Sequence, residues 1–410
     1  MELLSYSNIV TFIIPIIIFL ILFLYVYLKL SYGFWFYAPV FHLYDLHYYA
    51  NPRGIVEINL PEKNKFTNLQ EIKMLTFSDV QSKYLFKQFV SFINSHYMRN
   101  KYNNYIPTVR ETEPYFTNHK HPCFISYYYK NQFLHTVRDN SVIPRKRIVG
   151  VMTTRPVQIQ IKKTASSSLK MYGYYVDYLC VHKEYRNQGI APQQIQTHYY
   201  HQRRMNPNIH VNIFKREGKL TGIVPLCVYS TYIYDILSLF GNSIELPIIY
   251  KRVRCSSQNM RHLTDFMKQC GEKFDIIISP DLGNIMDLIN SEIYFIDYIV
   301  DTSKDNEINA CYVFKKTSVI VNKNQSLIAC VASVRGDRFD PHLFYNGFLG
   351  SLFTFNKFQN LLIENLSHNT LLCDKLKEQN TPHLESPTAY FFHNYINPTF
   401  SPGNVLIMGT

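Results

Sequence analysis

Charge is scarce in this sequence. Only 18% of its 410 residues are charged, and acids are the scarcer sign, 30 against 42 Lys and Arg, for a net charge of +12. That balance excludes a disordered acidic tail protein. Cysteine is limited to eight scattered residues with no C-x-x-C, which excludes a disulfide-stapled miniature fold and suits a reducing compartment. Tryptophan occurs once, at Trp35. No Gly/Ser linker, short repeat or low-complexity tract interrupts the chain, so packed lobes are expected rather than domains on a string. A second long apolar run is also missing, which excludes a polytopic transporter. What is present, 47% apolar residues over this length, suits two ordinary domains or one two-lobed body with a full core.

The single long apolar run, Leu3 to Leu28, holds no charged residue. A helix needs about 20 apolar residues to cross the hydrocarbon core, and residues 9–28 supply them. Pro15 is tolerated in a span, and Tyr25 and Tyr27 sit where aromatic rings favour the headgroups. A cleaved signal peptide needs a basic start and a small-residue cleavage site; here the start carries Glu2, and no A-x-A follows. Residues 1–30 therefore read as a retained single-pass anchor. Lys29 after the span points the rest of the chain to the cytosol.

The remainder reads as α+β. Helical spacing covers residues 77–97, 192–205 and 353–366, and strand patterns cover 147–161, 172–181, 274–279, 292–300, 310–321 and 326–334. The most informative stretch runs from Val176 to Pro192. It is a strand, a polar turn of the form R-x-x-G-x-A (Arg186, Asn187, Gln188, Gly189, Ile190, Ala191) and a helix beginning at Pro192. Gly189 lets another group approach the backbone, and free N–H groups at a helix start cradle anions with help from Arg186. An ordinary strand–turn–helix capped by an arginine is the plainer reading of the same residues.

The turn matches the acyl-CoA-binding signature of the acetyltransferase superfamily. Its context, Leu179-Cys180-Val181-His182-Lys183 with Arg186, Ala191 and Pro192, closely resembles the signature of the N-myristoyltransferases. Residues 146–151 and 159–161 are similar to that family's preceding hairpin. Tyr32-Gly33-Phe34-Trp35-Phe36-Tyr37-Ala38-Pro39-Val40 resembles its Y-x-F-W-x-T-Q-P-V, with Trp35 on the family's tryptophan. Asn394 to Pro398 resembles its N-W-x-x-P, at the family's distance from the chain end. The resemblance is good over residues 32–235 and thin beyond.

The resemblance implies two acetyltransferase-like lobes in a pseudo-two-fold saddle behind one transmembrane helix: an anchor (1–30), an acyl-CoA-binding lobe (31–235) and an acceptor-binding lobe (236–410). It implies transfer of a myristoyl group from myristoyl-CoA, a substrate and not a resident cofactor, to the N-terminal glycine amine of a protein or nascent chain. The backbone N–H groups of Tyr178 and Leu179 would face the thioester oxygen, and the base would be the terminal carboxylate of Thr410. Cys180, Val181 and Arg186 to Pro192 would hold CoA, with Tyr32, Gly33, Phe34 and Trp35 closing over it. Because myristoyl-CoA and nascent glycine termini are cytosolic, the catalytic part is expected on that side of the membrane, acting as a monomer.

Four departures from the family pattern stand out. Asp177 replaces an asparagine. Lys215 replaces a threonine at the acceptor site, where it would repel an ammonium unless it turns to solvent or pairs with Asp177. The turn at Arg186 is less basic. The acidic acceptor-recognition stretch becomes Arg99-Asn100-Lys101-Tyr102-Asn103-Asn104-Tyr105, so preference for a lysine in the acceptor should weaken at Asn103 and Tyr105. These leave open an acyltransferase of other chain or acceptor specificity, or a non-catalytic membrane-anchored descendant. His119-x-His121-x-Cys123 lacks a second ligand cluster, and His198 and His201 lack partners, so no metal is expected. The basic residues are dispersed without a nucleic-acid motif, so no nucleic acid is expected.

Overall fold

A computed structural model describes residues 2–51, 54–81, 84–98, 103–136, 141–164, 167–218, 222–240, 246–321 and 325–409; at 2–12, 134–136 and 141–144 only the backbone is described. The strands among them are β1 (Ile72–Thr76), β2 (Asn103–Tyr105), β3 (Phe124–Thr136), β4 (Ser141–Thr164), β5 (Ser167–Val181), β6 (Val211–Glu217), β7 (Cys227–Asp235), β8 (Tyr250–Arg254), β9 (Ile276–Ser279), β10 (Tyr294–Asp301), β11 (Glu307–Val321), β12 (Gln325–Arg335), β13 (Asn360–Glu364), β14 (Leu384–His393) and β15 (Val405–Ile407). The helices are α1 (Glu2–Tyr32), α2 (Leu46–Ala50), α3 (Phe77–Gln81), α4 (Tyr84–His96), α5 (Val109–Thr112), α6 (Ile190–Met205), α7 (Met260–Gly271), α8 (Leu282–Asn290), α9 (Pro341–Phe353) and α10 (Asn369–Gln379).

The two halves repeat one plan. In the first, β3, β4 and β5 pair antiparallel, α6 crosses over, and β6 returns parallel to β5. In the second, β10, β11 and β12 pair antiparallel, α9 crosses over, and β13 returns parallel to β12. A parallel return requires such a crossover, because a tight turn can only reverse the chain. At the seam, β14 pairs with both β6 and β7, and β7 also pairs with β13, so one continuous sheet joins the halves. This is the α+β, two-lobed architecture that the sequence implies. The largest apolar cluster spans both halves, with Phe89 and Tyr127 in the same core as Leu263 and Val313.

Two elements differ from the sequence reading. Residues 353–366 do not form a helix: α9 ends at Phe353, and Asn360–Glu364 is strand β13. Its apolar centre is buried between β12 and β7, and such a run has no period that separates strand from helix. The helix expected over 77–97 agrees with α3 and α4, the helical stretches described within that span. The helix expected to open at Pro192 begins at Ile190, so Pro192 sits third, still in the first turn where its missing N–H has no partner to lose.

Side chains from Ile13 to Tyr27 on α1 are exposed, and within Ile13–Phe36 an 18-residue window has mean hydropathy 2.6 with none of that window buried. By length and composition it can cross a membrane. Its C-terminal end is tied to the fold: Tyr32 packs edge-on against His42 and Tyr44, and a Cβ added to Gly222 would lie 2.1 Å from the Tyr32 ring.

Candidate functional site

Strand β5 is interrupted where the sequence places the chemistry. Its register against β4 shifts between Val151–Cys180 and Thr153–Asp177, so Tyr178 and Leu179 together oppose Met152 alone. Tyr178 takes φ +47°, a conformation unfavourable for a bulky side chain. This is a β-bulge, which turns backbone groups out of the ladder. It faces a cavity of about 750 Å³ lined by Asp177, Tyr178, Leu179, Lys215, Asn103, Tyr105, Trp35, Lys315 and Glu364, among others. That volume suits a bound organic substrate.

Rings hold the bulge. Phe89, Tyr97, Tyr105 and Phe116 pack around Tyr178, and the Tyr105 and Tyr178 hydroxyls lie 2.8 Å apart. Burial raises both phenols well above their ordinary range, so they stay protonated. The Tyr178 amide donates to Asp177 Oδ1 at 2.9 Å. Asp177 therefore occupies one of the two amides assigned to the thioester oxygen.

Lys215 does not pair with Asp177. Its Nζ is 2.9 Å from Glu364 and 3.1 Å from Glu217, while Asp177 faces Arg155 at 3.9 Å. Burial alone would lower the Lys215 pKa, but Glu364, Tyr390 and Glu217 outweigh it and raise the group well above its usual value. Glu364 also accepts from the Tyr229 hydroxyl at 2.8 Å. Sequence reasoning missed Glu364 because it lay inside the segment read as a helix. Lys315, on β11, was also missed; burial lowers its ammonium to about 8, against the pull of Asp177.

The anion turn forms as expected but apart from this cavity. Gly189 caps α6 at φ +75°, with open space where a Cβ would stand, and Asn187 takes φ +62°. Arg186 donates from its side chain to Val181 O (3.3 Å) and His96 O (2.9 Å), and Gln188 to Glu184 O (3.1 Å). Burial, then the charges of His182, Lys183, Arg147 and Arg186, lowers His96 to about 4; the turn therefore sits in a positive field. Ile190 is buried with Tyr128 and Val149, and Cys180 is in the core, its thiol pushed up to about 12 by burial. Ala191 and Pro192 belong to the first turn of α6.

In the aromatic segment, Gly33 turns the chain at φ +52°. Trp35 stacks on Phe214 (5.4 Å, 10°) and lines the cavity, whereas Phe34 packs on Phe66 and Tyr32 on His42. Thr410 and residues 99–102 lie outside the described residues. Two of the histidines weighed as ligands, His119 and His198, have other partners. His119 bonds Tyr115 O (3.0 Å) and lies 3.6 Å from Asp281; His198 bonds Ser126 and Thr154. Among the described residues no three metal-type side chains converge. All eight cysteines are free and buried.

Residues 59–227 match the family profile for the N-terminal domain of myristoyl-CoA:protein N-myristoyltransferase. Over 91–92% of its length the chain is similar in fold to solved Saccharomyces cerevisiae N-myristoyltransferase. One structure, with bound myristoyl-CoA, superposes with TM-score 0.66 at 13% identity, covering 91% of this chain and 94% of that one. Another, with bound myristoyl-CoA and inhibitors, gives 0.65 at 13% identity, covering 92% and 93%. No curated protein sequence matches the chain significantly.

Proposed function

We propose that the chain, whose residues 59–227 match the N-myristoyltransferase N-terminal domain profile, is a member of that family and transfers a myristoyl group from myristoyl-CoA to the N-terminal glycine amine of proteins. The observation that carries this reading is the bulge at Tyr178–Leu179, open to a cavity, on the strand that leads into the anion turn at Arg186–Gly189. In the reaction the amine nitrogen bonds the acyl carbon, the carbon–sulfur bond breaks, and CoA leaves as the thiol. The Tyr178 and Leu179 amides would meet the thioester oxygen as it gains charge, contributing about 3 kcal/mol each to the transition state. For this, the Tyr178 amide must exchange Asp177 for the substrate oxygen. The Thr410 carboxylate would accept the proton leaving the ammonium. An α-amino group ionises at about 7.7–8.0, so little driving force is needed near neutral pH.

Lys215 is compatible with this chemistry because two carboxylates neutralise it. CoA phosphates would sit on Arg186 and the amides of Asn187 to Ile190. Asn103 and Tyr105 would contact the acceptor, whose lysine preference is weak. The segment α1 would hold the enzyme on the cytosolic face of a membrane, where an acylated product partitions.

The test uses the full chain in detergent micelles with labelled acyl-CoAs from C2 to C16 and glycine-terminated peptides. C14 transfer, lost when one residue is added after Thr410, is the expected result, with lysine-containing and lysine-free acceptors competing about equally. Transfer of another chain length, or CoA binding without turnover, overturns it.

A further inference from the structure

A second cavity, of about 570 Å³, shares no lining residue with the one that the bulge faces. Its size is that of a site for a small organic ligand. One wall is the part of the sheet where β5, β4, β9 and β15 are neighbours. Strand alternation decides which side chains enter it. Val157, Ile159 and Ile161 of β4, with Val405 and Ile407 of β15, belong to a separate apolar core. The residues that alternate with them, Gln158, Gln160, Lys162, Leu406 and Met408, line the cavity.

Polarity falls from one side of this wall to the other. One cross-strand row runs Lys170, Gln160, Ile277, Leu406, each residue paired with the next. With strands about 4.8 Å apart, the row spans roughly 14 Å. Its apolar end is deep. Leu406 is 1% exposed, and buried Leu263 of α7, Ile296 of β10 and Val313 of β11 close that end from the second half of the fold. Met267 and Met408 add flexible side chains that adapt to a ligand's outline.

The other end is cationic. Lys162, Lys170 and Lys268 are on the lining, against Glu272 as its single carboxylate. Lys162 donates to the Glu272 backbone oxygen at 2.9 Å, and Lys268 lies 3.8 Å from Asp265. The side chains of Lys170 and Gln160 have no partner among the described residues. A matching ligand has one anionic end and a slender apolar body. A nucleotide would leave its polar base uncompensated against Leu263 and Ile296.

We propose that this cavity binds a long-chain fatty acid, with the carboxylate at Lys170 and Gln160 and the chain directed toward Leu406, Leu263 and Val313. The Lys170 ammonium and the Gln160 amide donate to the carboxylate, the first bond being charge-assisted, and the chain leaves water as it enters. No covalent bond is made or broken. The inference does not depend on the proposed transfer and holds whether or not the chain moves an acyl group.

The test uses full chain reconstituted in phosphatidylcholine bilayers and a C16 fatty acid carrying a diazirine near its methyl end. After irradiation and digestion, mass spectrometry should find the label on residues 260–267 of α7 or 405–408 around β15. Unlabelled C16 acid should compete. C16 alcohol, which keeps the chain without the charge, and acetate, which keeps the charge without the chain, should not. Lys162→Gln with Lys170→Gln removes two exposed charges and should weaken the competition by about tenfold. Met267→Trp, filling the apolar end, should abolish labelling in a chain whose Tm shows it folded. Label confined to α1 or to the lining of the large cavity overturns the site, as does labelling untouched by the lysine pair. Equal competition by the alcohol overturns the carboxylate's role. Better competition by a lysophospholipid assigns the cations to a lipid phosphate and overturns the choice of a fatty acid.

Discussion

At the scale of single residues, Lys215 shows how a charge becomes acceptable in a cleft. Its position on β6 was legible by gapless comparison with the family signature, but its partner was not. Glu364 lies 149 residues away and reaches it only because β6, β14, β7 and β13 are consecutive in the sheet. Both side chains are mostly buried, 20% and 9% exposed, so removing one strands the other. Lys215→Met should destabilise the protein by roughly 3–5 kcal/mol, and Lys215→Met with Glu364→Leu should recover much of that. Denaturant unfolding of the two variants checks it; a single variant as stable as the parent would refute the pairing.

Among the elements, α6 buries a polar stripe. Gln194, His198 and Gln202 recur every four residues and bond Ser126, Thr154 and Asn212 in the sheet below. Gly150 makes room: a Cβ there would lie 2.7 Å from Gln194 Oε1. Apolar periodicity cannot reveal such a face, which is why His198 looked partnerless in the sequence. Burial lowers His198 to about 3 and His393 to about 4. Above the unfolded value of about 6.5 both states are neutral, and nothing is lost. Below it the unfolded chain binds protons that the folded one refuses, so stability falls by about 1.4 kcal/mol per pH unit for each histidine until the folded value is reached. Unfolding free energies between pH 7 and 5 should show this slope, and His198→Asn should remove its share.

For the whole molecule, the exposed α1 outweighs every other surface feature. Leaving its large side chains in water would cost on the order of 10 kcal/mol or more, which a bilayer relieves. The full chain should therefore remain with membranes through alkaline carbonate and high salt, whereas removal of residues 2–30 should leave only a salt-sensitive attachment through the +12 net charge. Sedimentation of both forms checks this; release of the full chain by salt alone would exclude a span.

The sequence by itself determined what is local. The apolar run, the R-x-x-G-x-A turn and the strand before it are each contiguous, so what marks them is written in neighbouring residues. The tertiary structure decided what depends on register between distant strands. It placed β14 between the two halves, made 360–364 a buried strand, turned Asp177 toward Tyr178 and Arg155, and gave Lys215 to Glu364. Such pairings follow from which strands become neighbours in the sheet, and a single sequence holds no local signal of that adjacency.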